Sequence, residues 1–314
     1  MKPRAVRVYA PASISNLGPG FDVLGIAIDH PGDFAVARRT REHGLHFSVK
    51  TTQEGIPAST KENVAAHVAS LLLNEYKPLF GIELVLEKKM PIGSGLGSSG
   101  ASSVAAAVAV NALLQKPLKK TDLLRFVVEG ERKASGSPHA DNVAPSLLGG
   151  ACLIRSYNPL DVIRIPIRNT IVWVVVHPHV VVRTQEARNA LPKSVSLKTA
   201  IQQWGNVSGV TAGLVLGDAK LLGRCIEDVI VEPARARFIP GFYKVKKAAL
   251  NAGAFGCSIS GSGPSMFAVA PTVASARMIA RAMVKTFKRH GNITCDVYVS
   301  RVNMEGATIV RMRK

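Results

Sequence analysis

Residues 5–10 alternate apolar and polar side chains and run into Pro11, the pattern of a half-buried strand that stops where the backbone loses its N–H donor. Residues 44–50 and 82–88 read as two further strands. Between them, residues 61–76 carry apolar side chains at helical spacing, with Asn63 or Ser59 placed to cap the start. Residues 98–114 are Ala, Val and Ser almost throughout, which predicts a helix buried on all sides. A second helix is expected over 121–133, opening on Thr121 and Asp122, and the pair Gly149-Gly150 introduces a strand over 151–155.

A polar break at 167–170 is the candidate domain boundary, dividing the chain into 1–168 and 169–314. Beyond it, the β-branched run at 171–176 predicts a strand covered on both faces. Helices are expected over 184–190, 197–216, 219–231, 242–252 and 272–290, a hairpin over 257–260 and 266–270, and a strand over 294–302. No internal repeat is visible, and this mixture of elements predicts a two-domain α+β protein.

Composition adds limits. With 47% hydrophobic and 19% charged residues in 314, the chain can build a core, which excludes disorder. No apolar run is long enough to span a bilayer, and the opening Met-Lys-Pro-Arg leads into a strand rather than a signal segment, so a cytoplasmic protein is expected. The four cysteines lie far apart and read as small buried hydrophobes rather than a zinc site or a disulfide set. The net charge of +19 leaves nucleic acid open as a partner, but the basic residues are scattered and aromatics reach only 5%, little for base stacking. Arg277, Arg281 and Lys285 recur every four residues, as on a solvated helix face.

The chemistry concentrates in Pro91-Ile92-Gly93-Ser94-Gly95-Leu96-Gly97-Ser98-Ser99, which leaves a strand and feeds the Ala-rich helix. Glycines let the backbone turn sharply and approach a ligand. The helix start offers free N–H groups and partial positive charge, a cradle for phosphate. Serine hydroxyls can add donors or ligate a hard cation. The segment lacks the Lys-Ser/Thr pair of a Walker loop, and its glycines are too evenly spaced for a dinucleotide fingerprint. A turn and helix cap without a ligand is the plain alternative. Two more small-residue loops, 11–25 (with Asn16 and Asp22) and Ser260-Gly261-Ser262-Gly263-Pro264-Ser265, suggest one site assembled from distant segments.

These three clusters resemble the signature motifs of the GHMP kinases, and the resemblance spans almost the whole chain. PASISNLGPGFDVLG at 11–25, HADNVAPSLLGG at 139–150, TQEARNALP at 184–192 and VEPARARFIPGF at 231–242 are most similar to members that phosphorylate homoserine. Gly100 stands where the family often has Ala. The resemblance implies an N-terminal half like domain 2 of a small-subunit ribosomal protein and a ferredoxin-like C-terminal half, with the substrates meeting between them. It also implies ATP and Mg²⁺ as cofactors, L-homoserine as substrate, a place in threonine biosynthesis and a homodimer. A mevalonate- or sugar-type kinase of the same family is the nearest alternative, and an RNA-binding protein a more distant one.

Roles follow from the same resemblance. The loop from Pro91 through Ser99 would hold the phosphates, and Ser99 (or Ser98) with Glu131 would hold Mg²⁺. Taken by itself, Glu131 in the run Glu129-Gly130-Glu131-Arg132-Lys133 reads as a solvated helix residue. Arg188 and Arg235 are candidates to clamp a carboxylate through paired hydrogen bonds. Asn16 and Asp22 would meet the hydroxyl and amino end, with His139, Asp141, Thr184, Ser260 and Gly261 also at the substrate. Mevalonate-type relatives place a catalytic Asp where Asn142 stands here, and an amide cannot take up a proton at neutral pH. Catalysis by Asn142, Glu131 and Asp141 is therefore expected to rest on positioning and electrostatics, with Asp141 binding substrate.

Overall fold

The first strand does not stop at Pro11. In the computed structural model, which describes residues 3–310, β1 (Ala5–Ser15) passes through the proline by a register shift between Pro11 and Ser13. A bulge there absorbs the missing donor and bends the strand. Its partner β2 (Leu24–Thr40) runs antiparallel beside it. That strand was not expected, because the polar stretch Asp29-His30-Pro31-Gly32 interrupts its apolar run. Met1 and Lys2, half of the opening read above as no signal segment, lie outside the described residues.

The first sheet has seven strands. The order is β11-β1-β2-β4-β3, with β5 on the other end of β2 and β6 beyond it. Here β3 is Leu45–Lys50, β4 Gly81–Glu87, β5 Ala151–Tyr157, β6 Leu160–Ile165 and β11 Thr308–Val310. Among the described residues of this sheet, only the β3–β4 pair is parallel. Helices α1 (Val64–Tyr76), α2 (Ser98–Leu113), α3 (Lys120–Ser135) and α4 (Ala140–Leu148) accompany it. Asn63 caps α1, accepting the N–H of Ala65. As its composition predicts, α2 is buried nearly all round, packed on β1 and β2 and on the other three helices. Neither α4, which carries Pro145 inside, nor β6 was expected.

The second sheet is antiparallel, in the order β10-β7-β9-β8. Its strands are β7 (Val172–Pro178), β8 (Gly256–Ile259), β9 (Met266–Ala270) and β10 (Cys295–Ser300), and every residue of β7 is buried. A separate core forms where α9 (Phe242–Asn251) and α10 (Val273–Arg289) cover one face. Arg277, Arg281 and Lys285 lie on the outer face of α10. The four cysteines are free, with Cys152 and Cys257 buried and Cys225 and Cys295 partly so.

Between β7 and β8 come α5 (Thr184–Asn189), α6 (Leu197–Leu216), α7 (Ala219–Cys225) and α8 (Val231–Arg235). The single helix expected over 219–231 is thus two. Asp228 breaks it, because its carboxylate accepts the N–H groups of Ile230, Val231 and Glu232 and so starts a new helix. The chain finally returns from the second sheet, and β11 pairs antiparallel with β1 in the first.

Candidate active site

The three small-residue loops hold one another. Ser13 N–H donates to the Leu96 carbonyl (3.1 Å), Ser265 N–H to Ser94 O (3.2 Å) and Gly261 N–H to Ser15 O (3.3 Å). Asn16 Nδ2 donates to Gly261 O at 3.0 Å and Ser260 Oγ to Gly95 O at 2.7 Å. Two glycines make this packing possible. Gly95 (φ +74°) and Gly97 (φ +66°) are left-handed, and a Cβ would fall 2.4 Å from Ser260 O in the first case and 2.3 Å from Ser13 Oγ in the second. The close approach that the sequence pattern implies is thus partly loop against loop. Gly97 is the N-cap of α2 with no side chain capping it, so the first turn points its N–H groups at the loop's interior. The Ser94 hydroxyl is buried and has no hydrogen-bond partner among the described residues.

Lys88, the residue that follows β4, is buried under this loop. It pairs with Asp33 and donates to Ser98 O (2.8 Å) and Ser102 Oγ (3.0 Å), while Asp33 also accepts Lys89 and Met90 N–H. Burial pulls the Lys88 ammonium below the usual lysine range, and the Asp33 charge opposes that pull. The pair fixes the first turn of α2 against β2.

Beside that turn stands Glu131. It is only 3% exposed, so the solvated reading is corrected: it sits on the inner face of α3, and its Oε1 lies 3.7 Å from where a Gly100 Cβ would be. Its Oε2 is 3.8 Å from His139 Nδ1. On the other side of the ring, His139 Nε2 is 2.9 Å from Arg188 Nη2. Arginine can only donate, so this contact belongs to the neutral ring. Burial pushes the His139 pKa down, but the Glu131 hydrogen bond and the nearby Asp141, Glu131 and Asp22 charges outweigh it, and it ends above the usual value.

Arg188 Nη2 also reaches both Asp22 oxygens, at 3.0 and 2.8 Å. Arg235 donates through Nη1 to Gly261 O (2.8 Å) and through Nε to Ala187 O (3.3 Å). Both guanidinium groups lie near the Phe21 ring, at 5.3 Å for Arg188 and 4.9 Å for Arg235. Burial lowers the Arg235 pKa to about 10, with Asp22 opposing and Arg188 assisting. Asn16 and Asp22 occupy left-handed backbone (φ 71° and 59°), which Asn and Asp tolerate, and Leu17 beside them (φ 48°) is left-handed without that excuse. Asp141 is 1% exposed, and its Oδ1 has no hydrogen-bond partner among the described residues. Burial first, and the Asp22 charge second, push its carboxyl up to about 7.

All of this faces one cavity of about 570 Å³. Of the residues singled out in the sequence, Gly93, Ser94, Gly95, Gly97, Ser98 and Ser99 line it on the loop side. Asn16, Asp22, His139, Asp141, Arg188 and Arg235 line it too, as do Thr184, Gly261, Glu131 and Asn142. Three do not. Pro91 and Leu96 shape the loop from behind, Leu96 fully buried in the core, and Ser260 spends its hydroxyl on Gly95 rather than on the cavity. Asn142 Oδ1 accepts from Ser13 Oγ at 3.0 Å. The sequence reading missed Lys88, Phe21 and Arg183, which also line the cavity. An apolar stretch of wall is built by Ile56, Pro57, Leu86 and Ile92.

A hard cation fits the Glu131 corner. Glu131, Ser98 and Ser99 all line the cavity, and carboxylate and hydroxyl oxygens are the donors a hard cation such as Mg²⁺ takes beside those of a phosphate chain. Among the described residues no group of three or more His, Cys, Asp or Glu is arranged to hold a metal ion, so the protein side chains by themselves offer a partial shell rather than a cage.

Comparison with known proteins gives the family of the chain. The family described as GHMP kinases N terminal domain matches residues 63–150, and GHMP kinases C terminal matches 210–289. The homoserine kinase of Chlorobium phaeobacteroides (strain BS1) is 45% identical over 98% of this chain and 100% of its own. That of Pyrococcus furiosus is 41% identical over 95% of this chain and 98% of its own. The crystal structure of homoserine kinase from Cytophaga hutchinsonii superposes with a TM-score of 0.95 at 48% identity, covering 99% of this chain and 98% of that one.

Proposed function

The chain belongs to the GHMP kinases, and from that premise we propose that it transfers the terminal phosphoryl group of ATP to the side-chain hydroxyl of L-homoserine, giving O-phospho-L-homoserine and ADP. The observation that carries this reading is the two-ended cavity. At one end lie the helix start of α2, the glycine loop and the unpartnered Ser94 hydroxyl; at the other lies a cluster of two carboxylates and two guanidiniums. The first suits a polyphosphate and the second an amino acid.

In the proposed complex, backbone N–H groups of 93–99 and the α2 dipole hold the phosphates, with adenine against the apolar wall of Ile56, Pro57, Leu86 and Ile92. Glu131 and Ser99 would hold Mg²⁺, which supplies charge neutralisation at the transferred group when bound. Arg235 and Arg188 take the substrate carboxylate and keep Asp22 oriented. Asp141 takes the ammonium, whose charge favours the ionised form of a carboxyl that burial otherwise pushes towards neutrality. Asn16, with Asn142 beside the loop, orients the hydroxyl. The hydroxyl oxygen forms the new bond to phosphorus as the bond to the ADP oxygen breaks, and its proton leaves with the phosphate. No group is needed as a base in this scheme; alignment and electrostatic stabilisation are the protein's contribution.

The decisive measurement is ADP release with L-homoserine, with and without Mg²⁺, beside mevalonate and galactose. Strong, Mg²⁺-dependent turnover of homoserine alone is expected. Turnover of another alcohol in its place would sink the reading.

A cytoplasmic homodimer completes it. Among the described residues no helix is long and apolar enough to cross a membrane. Self-association is supported by the outer face of α6, where Leu197, Ile201 and Trp204 are exposed at successive turns. Sedimentation of the Trp204→Glu variant tests this, a shift to monomer being expected.

A further inference from the structure

Gln203 and Asp228 touch no part of the cavity wall, yet they join the two chain segments that form its amino-acid end. Gln203 is 6% exposed on α6, and Nε2 donates both to the Pro19 carbonyl and to Asp228 Oδ1, each at 2.9 Å. Its Oε1 accepts the Val229 N–H at 3.0 Å. Asp228, also 6% exposed, accepts the N–H groups of Ile230 (3.0 Å), Val231 (2.9 Å) and Glu232 (2.9 Å), which fixes the start of α8. Arg235 ends that helix. Pro19 lies in the loop between Asn16 and Asp22, and a Cβ on neighbouring Gly18 would fall 3.1 Å from Ile226 Cγ2, so the loop leans on the same segment.

The physical need for such a tie is visible in the loop. Asn16, Leu17, Gly18 and Asp22 all have positive φ; Gly18 adopts it freely and Asn16 and Asp22 tolerate it, but Leu17 (φ 48°) holds it at a cost. Strained backbone persists only where its surroundings over-determine it. The tie is specific to this end: the glycine loop is held instead by Lys88, Ser13, Ser260 and Ser265.

We propose that Gln203 and Asp228 are positioning residues that set the separation of Asp22 from Arg235, and so control affinity for the amino-acid substrate without touching it. This rests on the function proposed above. The test uses the full-length protein and four variants. Gln203→Leu, of similar volume, removes all three of its hydrogen bonds, to Pro19, Asp228 and Val229. Asp228→Ala removes the acceptor, whereas Asp228→Asn keeps an Oδ1 acceptor at a position where Asn caps a helix as well as Asp does. Val245→Ala, in the second core, supplies a comparable loss of stability elsewhere.

In Gln203→Leu and Asp228→Ala the KM for homoserine is expected to rise about tenfold or more, the consequence of a buried carbonyl or helix start left unpaired, with the KM for ATP within about twofold. Asp228→Asn shifts it less, and Val245→Ala lowers Tm with neither KM changed. Amide hydrogen exchange across 16–24 and 228–236 is expected to quicken in Gln203→Leu while that of 93–99 does not. This last readout needs no substrate, so it stands even if homoserine proves to be the wrong one. Folded Gln203→Leu with unchanged exchange in both segments, or both KM values rising together in step with Tm, would overturn the proposal.

Discussion

Between Gly93 and Ser99 a single stretch of glycine and serine lines one end of the cavity and leads into the start of α2, while the other end is lined by Asn16, Asp22, Asp141, Arg188 and Arg235. Asp22 and Arg188 are 166 residues apart in sequence. The backbone cradle is indifferent to charge but intolerant of an added Cβ. The side-chain clamp is the reverse, since its geometry is open to small steric changes and its balance of two guanidiniums against two carboxylates is not. Each end is therefore breakable by a kind of substitution that the other survives.

Arg235→Ala should give the largest separation. Truncating a buried, hydrogen-bonded charge leaves Asp22 less compensated, the Ala187 carbonyl without its arginine donor and the Gly261 carbonyl with Asn16 alone. Losses of this kind run to about 2–5 kcal/mol, and a fall of roughly a thousandfold in kcat/KM for homoserine is expected. ATP-analogue affinity should stay within about twofold, since Arg235 makes no contact with the glycine loop. A parallel loss of nucleotide binding would erase the distinction between the two ends.

Gly97→Ala probes the opposite end. The new methyl sits on left-handed backbone and within 2.3 Å of Ser13 Oγ and 2.8 Å of Asn142 Oδ1. Strain of about 1–3 kcal/mol, with displacement of the first α2 turn, should raise the KM for ATP roughly a hundredfold. Binding of homoserine alone, followed by calorimetry, should change little.

The same contrast governs what the sequence could reveal. A cradle made by consecutive residues leaves a contiguous Gly-Ser signature, and the pattern of residues 91–99 followed by a small-residue helix is legible on chemistry alone. A clamp gathered from four segments leaves isolated Asp and Arg residues that look like turn formers and surface charges; only resemblance to a family lifted Arg188 and Arg235 above that background. Two buried groups did leave a signal in periodicity. Glu131 lies four residues after the buried Val127, on the apolar face of α3, and Lys88 continues the inward alternation of Ile82, Leu84 and Leu86. Their charged neighbours in sequence concealed both. Strand β2 and the α7–α8 break were concealed differently, because polar residues inside them, Asp33 and Asp228, satisfy buried backbone N–H groups that sequence spacing does not display.

Asp141→Asn sharpens the comparison through pH. The carboxyl pKa of about 7 means that the folded free enzyme retains a proton which the unfolded chain has already released. The resulting penalty on stability is absent below the ordinary carboxylate range, grows as pH rises towards 7 and is complete above it. The variant should therefore melt higher than the parent at pH 8 and not at pH 4. In the parent, the KM for homoserine should fall as pH rises through about 7, because the ionised carboxylate is the form that meets an ammonium. The variant should show a KM raised some tens of times and flat across that range, as expected for a lost charge-assisted hydrogen bond. Were turnover abolished with homoserine affinity intact, Asp141 would instead be the base, and the clamp would lose its ammonium partner.

Ser260→Ala carries the smallest expected effect and addresses the seam between the two ends. Its hydroxyl donates to Gly95 O while the adjoining Gly261 carbonyl accepts from both Asn16 and Arg235. The same short turn thus braces the cradle through a side chain and the clamp through its backbone. Removing the hydroxyl costs about 1 kcal/mol, so a change of about fivefold is expected. Because the Gly261 carbonyl is untouched, that change should fall on the KM for ATP and leave the KM for homoserine within experimental error. An equal rise in both would mean that the turn moves as one body, and that the two ends, though built differently, respond as a single unit.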